Sequence, residues 1–375
     1  MRTAHGIAVA LSAGFRLATA APFAESSLLY VTSYPTGSGA GKVLTLKLDQ
    51  TKLETVAESD SCGLGGEKGD LAALKVGDDL SLTKLSGGPT VVGPVSTIVY
   101  GDGGRGWLLP TSERGIDTYN IADPAAVALL KTQVFPANAE VRPEPQNQAR
   151  PHQAVLDPTG EFLVFPDLGA DLLRVLKVDQ ATLGYTETKS HEFARGTGPR
   201  HAAFFKSESK TFLYVVCELS NLIQGFSVTY NDDKSLSFTQ VYNSTTHGGT
   251  DPVPAGTSAA EITLSPDSKF LTVSSRNEKS LQYTLANGTA VPSDPLITFS
   301  IDAASGALAH VQTAPAGGVN PRHFSFNKDG SRVASALQSD GRVIVFERDV
   351  ASGKIGKAVA EANVFGMPNF VLFKE

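Results

Sequence analysis

The chain has 375 residues, 19% of them charged and 41% hydrophobic, and a formal net charge of −6. That balance suits a globular protein with a substantial core, gives no basic footprint for nucleic acid, and leaves no apolar run of roughly 18 residues to read as a transmembrane helix. The 36 glycines and 21 prolines are spread along the chain, as expected of many short strands joined by tight turns.

In chain order, the first twenty residues stand apart. Arg2 and His5 lead into the apolar GIAVALSAGF, and LATAAP follows with an Ala18-Thr19-Ala20 exit. This is the layout of a secretory leader, although Arg16 at the far edge of the apolar run departs from it. Residues 1–20 are therefore expected to be a signal peptide and 21–375 a secreted, extracellular domain. Without a leader function, the same segment would be the N-terminal tail of a cytoplasmic protein. Asn243-Ser244-Thr245 and Asn287-Gly288-Thr289 would be glycosylation acceptors on a secreted chain. The two cysteines, Cys62 and Cys217, are too few for a disulfide scaffold and are expected to be unpaired, with Cys217 acting as a small hydrophobe inside a strand.

Internal repetition organises the rest. Four segments align: RPHQAVLDPTGEFLVFPDLGADLLRVLKVD, PRHAAFFKSESKTFLYVVCELSNLIQGFSV, AAEITLSPDSKFLTVSSRNEKSLQYTL and PRHFSFNKDGSRVASALQSDGRVIVFERD. Each reads as a strand, a tight Asp/Asn/Gly turn, a second strand, a polar stretch and a third strand. A fourth follows toward the next unit, as in GALAHVQ. The units start near 152, 201, 260 and 323, a period of about 50 to 60 that fits four-stranded antiparallel propeller blades rather than a sandwich. Earlier units are looser: SLLYVTSYPTGSGAGKVLTLKLD, then PVSTIVYGDGGRGWLLPTSERGIDTYNI. About 350 mature residues at about 50 per unit predict an all-β, seven-bladed β-propeller. Between Ser59 and Thr83 there is room for one strand pair at most, so the second blade is expected to be truncated, either in the native protein or through a faulty gene model, and to lack its inner strand. NVFGMPNFVLFKE should supply a last strand that pairs with SLLYVTSY and shuts the ring.

GPRH followed by a strand and YVV-x-E, SPDSKFLTVSSRN and PRHFSFNKDG together resemble the lactonase family of seven-bladed propellers. The family includes bacterial 6-phosphogluconolactonases and fungal carboxy-cis,cis-muconate cyclases, and the resemblance covers nearly all of the chain after the leader except the short second unit. In the cyclases a His, an Arg, a Glu and a second Arg stand at the mouth of the central channel. By resemblance they fall here on His152, Arg200, Glu218 and Arg276. The bacterial lactonases share much the same motifs, so the resemblance marks the site more closely than the reaction. The leader departs from the intracellular catabolic members.

The residue chemistry agrees with that placement. Arg200 and Arg276 suit a substrate carrying carboxylates, because a guanidinium binds carboxylate bidentately. Their plain structural alternative is pairing with a local acid such as Glu218 or Glu278. His152 is a candidate general acid or base, or else a structural residue of its own blade. Glu218 would move a proton or hold an arginine. His201 and His323 are candidate substrate-binding residues, although their recurrence beside Arg200 and Arg322 suits a blade-level structural task. Asn221 and Asn277 would support the Glu and Arg motifs. GDGGRG lacks the Lys-Ser/Thr ending of a phosphate loop and reads as a hairpin turn. No metal, nucleotide or serine-hydrolase motif occurs, so no metal and no cofactor is expected.

The leading expectation is an enzyme forming a lactone from a small polycarboxylate, as a muconate cyclase does. The alternatives are hydrolysis of a sugar lactone, as by a 6-phosphogluconolactonase, and a secreted propeller that only binds a ligand. The expected partner is a small anionic molecule, with neither nucleic acid nor membrane.

Overall fold

A computed structural model describes residues 27–36, 41–60, 69–90, 93–110, 114–136, 142–249 and 252–374, together with Ala8–Ala10. Its strands form seven successive blades and one separate hairpin. From the channel outward, blade 1 is Met367–Lys374, Ser27–Tyr34, Lys42–Asp49 and Lys52–Asp60. Blade 3 is Ile98–Tyr100, Gly106–Pro110, Gly115–Asn120 and Ala128–Val134. Blade 4 runs Val155–Leu156, Phe162–Asp167, Leu172–Val178, with Tyr185–Glu187 and His191–Glu192 outermost. Blade 5 is Pro199–Lys206, Thr211–Cys217, Leu222–Tyr230 and Leu236–Thr245. Blade 6 is Ser258–Leu264, Phe270–Arg276, Pro295–Ile301 and Leu308–Pro315, with the hairpin Leu281–Thr284/Ala290–Ser293 between its second and third strands. Blade 7 is Pro321–Phe326, Arg332–Leu337, Arg342–Arg348 and Ile355–Asn363. The C-terminal strand pairs with Ser27–Tyr34 as expected and closes the ring. GDGGRG forms the tight turn between Ile98–Tyr100 and Gly106–Pro110.

Packing explains the sequence pattern. The second strands Phe162–Asp167, Thr211–Cys217 and Phe270–Arg276 are buried at every position, because a neighbouring blade covers each face. Phe162–Asp167 and Thr211–Cys217 therefore read as largely apolar runs instead of alternating ones, whereas Phe270–Arg276 buries Thr272, Ser274, Ser275 and Arg276 as well. Phe212, Tyr214 and Val216 of blade 5 pack on Ile262, Leu271, Val273 and Ile297 of blade 6, and each such side chain contributes roughly 1.5–3 kcal/mol by leaving water. Cys217 is a free, buried thiol in the layer between blades 4 and 5.

Blade 2 is the exception to four strands. It holds the hairpin Gly69–Val76/Leu82–Thr90, with Ala8–Ala10 aligned parallel to Leu71–Ala73 on its inner side. Its turn matches the outer hairpin of blade 5. In one, Gly77 N–H donates to Ser81 O and Ser81 N–H to Asp79 Oδ1; in the other, Asn231 N–H donates to Ser235 O and Ser235 N–H to Asp233 Oδ1. Leu80 and Lys234 both take left-handed φ angles, 65° and 62°. Among the described residues, blade 2 thus holds an outer hairpin and neither of the two inner strands of its neighbours, where one was expected to be lacking. The stretch 61–68 between Asp60 and Gly69 is too short for two strands and their turns. Cys62 and the remainder of the expected leader lie outside the described residues.

The innermost strands share a second feature. Pro199 faces Cys217 and His201 faces Val216, which leaves Arg200 as an extra residue. The same slip leaves Arg322 between Pro321 and His323, and Asn369 between Pro368 and Phe370. In blade 6 it falls between Ala259 and Ile262. A regular strand turns successive side chains to opposite faces, whereas a bulge re-aims one of them. Two consecutive residues of each blade can then face the channel.

Candidate functional site

The bulges open onto a cavity of about 410 Å³ at one end of the channel. Its charged and polar wall comes from blades 4 to 7: His152 and Gln153, Arg200 and His201, Glu261, Arg322 and His323. Blades 1 and 3 supply a neutral wall that includes Thr32, Tyr34, Ser96, Thr97, Asn369 and Phe370.

Antiparallel register brings the motifs together. The end of each second strand lies beside the start of its innermost strand, so Glu218 follows the Cys217–Pro199 pair and Arg276 faces Ser258. Buried aspartates fix the loops that enter the innermost strands. Asp167 accepts the N–H of Arg150 at 2.6 Å, ahead of His152. Asp171 accepts the N–H groups of Gly196 and Gly198 at 2.8 and 2.7 Å, ahead of Arg200. Asp294 accepts those of Asn277, Glu278, Lys279 and Asn320, and so ties the segment after Arg276 to the segment before Arg322. Gly198 has φ 63°, and a Cβ there would lie 2.5 Å from Leu219 Cγ; only glycine fits this turn. Asn221 and Asn277 hold left-handed φ angles of 51° and 61° in the turns after Glu218 and Arg276, a conformation that asparagine tolerates.

Two charged groupings result. In the first, Glu218 bridges Arg200 Nε at 2.7 Å and Arg276 Nη2 at 2.8 Å. Arg200 Nη1 also donates to Ala260 O and Arg276 Nη2 to Ala259 O. Burial alone would raise the Glu218 carboxyl, but Arg276 and Arg200 overrule it and hold it at about 2. Burial draws Arg200 down to about 9 against the pull of Glu218, so it remains cationic at neutral pH. Arg200 lines the cavity; Glu218 and Arg276 stand behind it.

The second grouping is a chain around four consecutive blades. His152 Nδ1 lies 3.0 Å from His201 Nε2, His201 Nδ1 lies 2.9 Å from Glu261 Oε1, and His323 Nε2 lies 3.5 Å from Glu261 Oε2. Burial would raise Glu261, yet His201 and His323 keep it at about 2. Burial lowers all three histidines: His152 well below its usual value with Arg200 adding to the effect, His323 to about 4, and His201 despite Glu261. At neutral pH the carboxylate is ionised and the rings are neutral, which fixes the tautomers. His201 donates Nδ1–H to Glu261 and accepts at Nε2, so His152 donates Nδ1–H and carries its lone pair on Nε2. Val371 N–H points to His323 Nδ1 at 3.4 Å, which leaves His323 Nε2–H for Glu261.

The six residues singled out in the sequence thus gather at one end of the ring. The structural alternative for the arginines holds as well: both pair with Glu218, while Glu278 lies 3.0 Å from His247. Sequence reasoning missed Glu261 and Arg322 as site residues. The aligned repeats PRH, AAE and PRH carry the signal for both, since Glu261 and Arg322 fall where His201 and Arg200 fall in blade 5.

A seven-bladed ring with a charged wall at its channel defines this chain as a β-propeller. The sequence model of the seven-bladed β-propeller lactonases matches residues 24–373, and the chain belongs to that family. It is 30% identical over 292 residues to a probable 6-phosphogluconolactonase of Arthroderma benhamiae, covering 76% of this chain and 69% of that one. It is 26% identical over 231 residues to the 6-phosphogluconolactonase of Formosa agariphila, covering 61% and 59%. The periplasmic gluconolactonase of Pseudomonas aeruginosa shares the fold, with a TM-score of 0.77 at 23% identity, 93% of this chain and 99% of that one being covered.

Proposed function

We propose that the protein hydrolyses a sugar-derived lactone at the end of the channel lined by His152 and Arg200. The observation that carries the reading is the Glu261–His201–His152 chain, which presents a neutral imidazole lone pair beside a buried guanidinium. His152 Nε2 takes a proton from water as the water oxygen bonds to the lactone carbonyl carbon. Arg200 stabilises the oxyanion that forms. Collapse of this intermediate breaks the ring C–O bond, and the ring oxygen recovers the proton from His152 to give the open hydroxy acid. Glu261, acting through His201, offsets the transient charge on His152.

The hydrolase names of the relatives favour this direction over the cyclisation expected from the sequence. Secretion belongs to the proposal on the strength of the N-terminal pattern alone, and cleavage after Ala20 would take Ala8–Ala10 away from the blade 2 hairpin. The test uses protein recovered from the culture medium, with a mature N-terminus expected after Ala20, assayed on glucono-lactones and on carboxymuconate above the spontaneous rates. His152→Ala is expected to lower kcat/KM for the lactone by about 10²- to 10⁴-fold. Full activity in that variant would remove His152 from the mechanism, and turnover of carboxymuconate alone would restore the cyclase reading.

A further inference from the structure

The charges of the cavity wall do not cancel. Glu218 is shared by Arg200 and Arg276, and Glu261 is shared by His201 and His323, which burial keeps neutral. Three arginines therefore face two carboxylates, and the remaining cation is Arg322. Among the described residues, no carboxylate lies within 4.0 Å of its guanidinium, whose carbon stands 5.8 Å from the centroid of the Tyr34 ring. Unlike Arg200 it is only partly buried, and it lines the cavity from blade 7. The bulge between Pro321 and His323 aims it there, and the Asn320 N–H bond to Asp294 holds the backbone just ahead of it at 2.6 Å.

We infer that Arg322 is the residue that recognises the substrate's anionic group, a phosphate or carboxylate set away from the lactone carbonyl. Arg200 and Arg276 are each paired with Glu218 and each donate to one backbone carbonyl, so neither is a cation without a counter-charge. His152 is on blade 4 and Arg322 on blade 7, three blades around a ring of seven. A substrate held at both points spans the channel, its carbonyl beside blades 4 and 5 and its anionic end beside blade 7. The neutral wall of Tyr34 and Asn369 next to Arg322 offers no competing carboxylate.

This rests on the lactonase reading for the identity of the substrate but not for anion binding, and the experiment separates the two. Binding of inorganic phosphate to the wild type, Arg322→Gln and Arg322→Lys is measured by calorimetry. In parallel, kcat/KM is measured for glucono-1,5-lactone, its 6-phosphate and a glucarolactone. Loss of a charge-assisted contact should cost Arg322→Gln on the order of 10- to 100-fold on whichever anionic lactone is the better substrate, mostly in KM. It should change the neutral lactone by less than about threefold and abolish phosphate binding, and Arg322→Lys should recover part of both. A strong preference for the phosphate ester over the glucarolactone identifies phosphate as the group read; the reverse identifies carboxylate. Phosphate binding lost in Arg322→Gln, in a protein that opens no lactone, would keep the anchor and discard the reaction. Equal losses on neutral and anionic lactones, or unchanged discrimination, would overturn the inference while leaving hydrolysis standing.

Discussion

Blades 4 to 7 and the sector around blade 2 are built to different standards. The contact between blades 5 and 6 buries twelve apolar side chains, and that between blades 7 and 1 buries thirteen. On either side of blade 2 the clusters among the described residues are Leu71 with Tyr119, and Tyr30, Val43 and Leu82. The Tyr30 hydroxyl is buried there with no hydrogen-bond partner among the described residues. All the ionised groups of the cavity stand on the well-packed arc; the thin side contributes a neutral wall. Charges held out of water need fixed partners at fixed distances, and a stiff core is what fixes them. A wall that only bounds the cavity tolerates a weaker scaffold.

The largest expected effect compares two ion pairs of similar length. Glu218→Ala would strand Arg200 and Arg276, both buried, without a counter-charge and should destabilise by about 3–5 kcal/mol in urea unfolding. Asp60→Ala breaks the 2.6 Å contact with Lys42 in blade 1, whose side chains are 72% and 28% exposed, and should cost less than about 1 kcal/mol. Equal losses would mean that the blade 4 to 7 arc is no drier than the rest of the surface. Next comes the core itself. Leu271→Ala, at a fully buried member of the twelve-residue blade 5–6 cluster, should cost about 2–5 kcal/mol. Leu82→Ala, in the three-member cluster beside blade 2, should cost about 1–2 kcal/mol because the site can collapse. A larger loss at Leu82 would show that the short blade carries more of the fold than its packing indicates.

The split between the two regions was visible in the sequence, and the division of labour within the site was not. Aligned repeats with PHQ, PRH, AAE and PRH at the start of the innermost strand, a tight turn and a buried second strand mark blades 4 to 7. The glycine-rich run after Ser59 marks the gap, although which strands were missing became clear only from the Asp79–Ser81 turn and its likeness to Asp233–Ser235. The placement of His152, Arg200, Glu218 and Arg276 was legible from motifs that antiparallel register must bring together. Their partners were not, since Glu218 could have faced solvent, substrate or either arginine. The choice depends on a one-residue bulge and on the bare backbone carbonyls of Ala259 and Ala260. Glu261 escaped notice because its repeat replaces Pro-Arg-His with Ala-Ala-Glu, and Arg322 because only the histidine beside it was weighed.

A fall in pH should weaken the blade 4 to 7 arc more than the sector around blade 2. His152, His201 and His323 bind protons more weakly in the folded protein than at their usual 6.5. Below that pH the unfolded chain takes up more protons than the folded one, so stability is complete above 6.5 and drains as pH falls. Glu218 and Glu261, held at about 2 against an ordinary 4.5, act in the same direction over a lower window: their contribution is present above 4.5 and is lost on the way to 2. Each pH unit within a window removes up to about 1.4 kcal/mol per titrating group, and every one of these groups lies on blades 4 to 7. At pH 7, hydrogen exchange should be fastest in Gly69–Val76 and Leu82–Thr90, where little apolar surface holds the strands. Between pH 6.5 and 4 the protection of Pro199–Lys206 and Ser258–Leu264 should fall by a larger factor than that of blade 2, after correction for intrinsic exchange. Uniform loss across all blades would mean that the buried histidines titrate near their usual value, and the neutral His152 lone pair on which the hydrolysis depends would then be absent through much of the acidic range.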